Sequence, residues 1–211
     1  MNETRKLLHS NVLKTKLDDY KLEVLDSIDT FCKSTGWCMI ESSSFGNILH
    51  TITSHIFEKA FLYPGIRIVV VSSAFRESKQ FILYIEELIK GKDIVSVFHN
   101  SDEYKLSIGA STIIARPIGS GDKIRGERAH IIVFPHFISI PKDIFGTIVA
   151  GFGIVQDPNK KETQFPSQII LCEKTSDIDL DLYEEYNKYR KEALKQDCLI
   201  KIKKEMSEAH D

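Results

Sequence analysis

The stretch WCMIESSSFGNILHTITSHIFEKAFLYPGIRIVVVSS, Trp37 to Ser73, decides the fold. Its start, Trp37 to Glu41, reads as a buried strand. A polar loop from Ser42 to Asn47 follows, then a long helix from about Ile48 to Phe61, stopped by the Tyr63-Pro64-Gly65 turn. The end, Ile66 to Ser73, is an almost unbroken β-branched run. A strand with one wet face alternates polar and apolar residues, whereas a run without alternation fits a parallel sheet covered on both faces.

Downstream, Phe81, Ile82, Tyr84, Ile85, Leu88 and Ile89 recur at helical spacing. IVSVFHN and YKLSIGASTIIARPI read as three short strands, the second and third joined by a turn near Gly109. A glycine-rich loop, Gly119 to Gly126, leads into the buried strand of HIIVFPHF, and a short helix follows from Lys142 to Ala150. A polar insertion from Gln156 to Ser167 precedes the strand QIILCEK and a helix from about Asp177 to Gln196. CLIKIKKE adds a last strand. Strands alternating with helices predict an α/β fold: a mostly parallel sheet with helices on both faces. The expected organisation is an N-terminal helical segment over 1–30, an α/β domain over 31–197, and a C-terminal strand and polar tail over 198–211.

The 28 Lys and Arg against 30 Asp and Glu exclude a constitutively basic nucleic-acid coat, so DNA contact requires a local patch. Cys32, Cys38, Cys172 and Cys198 lack finger-like spacing with histidine and read as free thiols, with no metal expected. The first 30 residues are charged throughout, unlike a secretory signal. No apolar run approaches the ~20 residues a membrane span needs. The expectation is a soluble protein of the cytoplasm, with no membrane partner.

In an open α/β sheet, ligands bind outside the carboxyl ends of the strands. The first strand-loop-helix unit is where a P-loop belongs. That motif uses glycines for a tight turn, a Lys for the β- and γ-phosphates and a Ser or Thr for magnesium. Here the run is Ser42, Ser43, Ser44, Phe45, Gly46, Asn47 and Ile48, with Asn47-Ile48 standing where Lys-Thr belongs. A second strand should end in Asp-Glu, the Asp organising magnesium and the Glu activating water. HIIVF runs instead into Pro135-His136. Proline offers no side-chain oxygen; His136 reads either as a base or soft-metal ligand, or as an ordinary packed or surface histidine.

The segments around these gaps resemble one family. FEKAFLYPGIRIVVVSSAFRESKQF (Phe57–Phe81) resembles the stretch after the P-loop in tailed-phage large terminases. PIGSGDKIRGERAHIIVFPHFISIPKDIF (Pro117–Phe145) resembles the region of their second ATPase motif, with the run Lys123-Ile124-Arg125-Gly126-Glu127-Arg128 its most specific part. QIILCEKTSDIDLDLYEEYNKYRKEAL (Gln168–Leu194) resembles their third motif, with Glu173-Lys174-Thr175 in place of a short run of Ser, Thr or Ala. The resemblance implies a P-loop NTPase-like (ASCE-type) ATPase domain, phage- or prophage-encoded and working in the bacterial cytosol, without the nuclease domain.

Three functions follow as expectations. The first is a pseudo-ATPase with no catalytic residues, because the phosphate-binding and acidic pairs are both replaced. Its partners would be terminase subunits or another phage or host protein. The second is a divergent active ATPase, in which ATP and magnesium bind only if other residues rescue the site; Lys174 is the candidate cation. The third is a DNA-binding module using Lys123, Arg125 and Arg128, unless Arg125 merely fixes its own loop.

Overall fold

The computed structural model describes residues 2–13, 15–90, 95–99, 103–118, 129–151, 167–175 and 183–203. Helix α1 (Asn2–Leu8) runs into a short π-helical turn (His9–Leu13), and α2 spans Asp19–Thr35. Asp18 caps α2 by accepting from the Lys21 N–H at 2.8 Å. At the other end Gly36, with φ +78°, donates its N–H to the Cys32 carbonyl. That left-handed turn is where the helix stops, beyond the expected limit near residue 30.

Strands β1 (Trp37–Ser42) and β2 (Arg67–Ser72) flank helix α3 (Phe45–Leu62), and α4 (Phe75–Leu88) follows β2. Next come β3 (Val95–His99), β4 (Tyr104–Ile108) and β5 (Ser111–Pro117), with Gly109 at φ +56° in the β4–β5 turn. The remaining elements are β6 (Ile131–Phe134), α5 (Lys142–Gly151), β7 (Gln168–Lys174), α6 (Glu184–Lys195) and β8 (Leu199–Ile202).

All eight strands join one sheet in the order β3-β4-β5-β2-β6-β7-β1-β8. From β5 to β8 the neighbours are parallel, and β3 and β4 extend the sheet as antiparallel strands. The expected α/β architecture is therefore present. Strand β8 pairs with β1 inside this sheet. The expected insertion falls outside the described residues except for Ser167, as does the tail from 204 to 211. Among the described residues, no helix is long and apolar enough to cross a membrane.

Two cores lie on opposite faces. One packs α2, α3 and α4 against Ile40, Ile68, Val70, Ile113 and Ile170. The other packs Phe137, Phe145 and Tyr186 against Met39, Val69, Val71, Phe134 and Leu171. Alternate strand residues feed alternate cores, which is why β1, β2 and β6 lack a polar face. Burying each Ile, Leu or Phe contributes roughly 1.5–3 kcal/mol.

Candidate functional site

The carboxyl ends of β1, β7, β6 and β2 lie side by side, with β7 separating β1 from β6. At the first of these ends, Ser42 to Asn47 is not the six-residue loop that the sequence suggested. Ser42 closes β1, only Ser43 and Ser44 connect, and Phe45 opens α3. Phe45 packs edge-on against Phe81 at 6.1 Å, which draws the helix start three residues ahead of the expected Ile48. Asn47 and Ile48 are buried in the first turn of α3.

The short connection also satisfies itself. Ser42 Oγ accepts from the Ser44 N–H and from Asn47 Nδ2, each at 3.2 Å. A phosphate cradle needs several consecutive backbone N–H groups turned toward one point. Here one loop amide is committed to Ser42, and the side chain at the lysine position ties the connection down.

At the end of β6, Pro135 presents no side-chain oxygen. His136 Nδ1 lies 2.6 Å from Glu173 Oε1, and the Glu173 side chain is fully buried. Glu173 also accepts from the Lys174 N–H at 3.1 Å and, through Oε2, from the Ile138 N–H at 2.9 Å. Three donors fill most of a carboxylate's roughly four lone-pair positions. The hydrogen bond to Glu173 raises the His136 pKa above that of an ordinary histidine against the opposing effect of burial, with Glu77 adding to the rise. Sequence reading treated His136 and Glu173 separately; the side-by-side placement of β6 and β7 unites them.

Glu41, the register neighbour of Glu173 across the β1–β7 pair, is also buried and was not singled out from sequence. It accepts from Tyr186 Oη at 2.5 Å and Arg190 Nε at 2.7 Å. The signal was present in the sequence: an acidic residue at the end of an otherwise apolar strand needs a partner.

Lys174 is the register partner of Ser42, so strand alternation puts it on the sheet face that α3 covers, at the edge where rescue would be needed. Lys79, at the start of α4, lies over the Tyr104 ring at 5.2 Å and the Phe75 ring at 5.9 Å, contacts internal to the fold. Lys123, Arg125 and Arg128 lie outside the described residues. The four cysteines are free and buried, and Cys32 and Cys38 approach to 3.7 Å between sulfurs.

No family model and no curated protein matches the chain by sequence. Solved structures do match by shape. The large terminase of a thermophilic bacteriophage superposes with a TM-score of 0.62 at 11% identity, over 87% of this chain and 44% of that one. The same terminase in complex with ATP-γ-S gives 0.52 at 12% identity, over 87% and 43%. A mutant ATPase domain of the Thermus phage P74-26 large terminase gives 0.51 at 11% identity, over 74% and 69%. The fold is that of a terminase ATPase domain, and the chain spans less than half the length of the first of these proteins.

Proposed function

We propose that this chain is a terminase-fold pseudo-ATPase, a non-hydrolysing binding or regulatory protein related to DNA-packaging motors. One observation carries the reading: the connection from Ser42 to Phe45 is two residues long and hydrogen-bonded to itself through Asn47. The residues present do not fit a magnesium nucleotide. Position 47 has no cation, position 135 has no side-chain oxygen, and Glu173 is engaged by His136 and two backbone amides. His136, its pKa raised by Glu173, meets that carboxylate from inside the protein. The fold then persists as a surface for protein partners, such as terminase subunits or another phage or host protein, with DNA a further candidate.

The test is calorimetry with Mg-ATP together with a phosphate-release assay. Neither binding at the α3 terminus nor turnover is expected. A second reading, a divergent active ATPase, draws on Glu173 and Lys174 lying beside the replaced pairs. It requires magnesium-dependent turnover that Glu173→Gln and Lys174→Ala each abolish.

A further inference from the structure

On the α6 side of the sheet, the carboxyl ends of β1 and β8 border a cleft of about 570 Å³. Arg190, Lys201 and Lys203 contribute three cations to its walls, with the Ser43 and Thr175 hydroxyls beside them. Among the described lining residues the one carboxylate, Glu41, is already bound by Tyr186 and Arg190, with Lys201 Nζ 3.9 Å away. Among the described lining residues the cations outnumber the carboxylate three to one, and the hydroxyls are the kind of donor an anion recruits beside them.

Tyr186 is also a wall of a second cavity, about 250 Å³, lined by Phe137, Ile138, Phe145 and Tyr183. Its rings are braced against one another: Phe137 and Phe145 are 4.9 Å apart, and Tyr189 meets both edge-on. The rim is polar. Lys142 pairs with Glu185 at 2.7 Å, and the Glu184 carboxylate there can accept from an exocyclic amine.

We propose that the two cavities are halves of one site for a nucleotide unit, the phosphate in the basic cleft and the base in the aromatic cavity. Inorganic phosphate would use only the cleft, and an uncharged ring only the aromatic cavity. A nucleotide uses both, because flat bases stack on aromatic side chains while cations hold the phosphate. The site shares Ser43 with the β1–α3 connection, but it lies on the α6 face and uses neither Asn47 nor magnesium.

Trp37, the single tryptophan, reports on it: its ring lies 6.3 Å from Tyr189, which packs on the cavity's Phe137 and Phe145. The chain is titrated in EDTA with AMP, adenosine, inorganic phosphate and oligothymidylate, following Trp37 fluorescence. Saturable binding is expected, with AMP at least tenfold tighter than adenosine or phosphate. Lys201→Glu and Tyr183→Ala, both at exposed positions, should each weaken it at least tenfold, and Lys33→Glu on α2 should leave it unchanged. Oligothymidylate binding more tightly than AMP, with steep salt dependence, identifies a single strand as the source. AMP binding as tightly or better identifies a free nucleotide. Binding of neither, or binding indifferent to both weakening substitutions, overturns the proposal. Because magnesium is absent, that outcome leaves the turnover test of the pseudo-ATPase untouched.

Discussion

Among single residues, Asn47 and His136 are both bonded within the fold. His136 binds its proton more tightly in the fold than in the unfolded chain, because Glu173 favours the charged form. Stability from the pair is therefore complete below an unfolded histidine pKa of about 6.5 and is lost as pH rises through the raised value. Urea midpoints of the parent and His136→Gln should differ most near pH 6 and converge at alkaline pH; a constant difference would refute the pairing. Asn47 offers a second test. Installing Asn47→Lys with Ile48→Thr should not restore ATP binding, because the connection is too short, and should cost about 1–3 kcal/mol by stranding buried polar groups. Calorimetric binding of Mg-ATP by that variant at a site the parent lacks would show that only the cation was missing. The residues standing at the expected P-loop and acidic positions were legible in the sequence. Which groups satisfy them was not, because Glu173 and Asn47 acquire their roles from strand adjacency and helix start.

At the scale of elements, the N-terminal helix is held by charge as well as apolar packing. Arg5, 1% exposed, binds Glu58 of α3 and Asp26 and Asp29 of α2 at 2.5–2.8 Å. Lys59 Nζ joins Asp29 at 2.6 Å. Removing one partner strands buried charge, so Arg5→Ala should cost about 3–5 kcal/mol in denaturant unfolding. A loss under about 1 kcal/mol would mean the cluster is open to solvent in practice.

His9 and His55 sit in the same cluster, and burial pushes each down to about 4. The unfolded chain takes up those protons first, so stability should fall as pH drops from about 6.5 toward 4. A pH-independent midpoint across that window would contradict their neutral burial. The sequence suggested a helical segment here. It did not mark Arg5, His9 or Glu58 as interior, because polar residues within a helical pattern read as a wet face until their partners are known. The start of α3 was misplaced for a related reason: a serine-rich run reads as loop, while Phe45 is drawn into the helix by Phe81.

At the scale of the whole molecule, the β-branched runs made the parallel sheet legible, and the three family-like segments anticipated the solved structures that share its fold. Strand order was not, since only the structure shows β7 lying between β1 and β6. That order also gathers thiols that looked scattered. A hydrogen bond from Cys32 and burial hold the Cys38 thiol up, and burial does the same for Cys172 and Cys198. All four should react slowly with a thiol reagent until the chain unfolds; fast native labelling would show that the interior is accessible.

The proposed absence of ATP hydrolysis has a direct readout. Phosphate release with Mg-ATP at neutral pH should not rise above that of buffer, for the parent and for His136→Ala alike. Magnesium-dependent release by the parent that His136→Ala abolishes would contradict it.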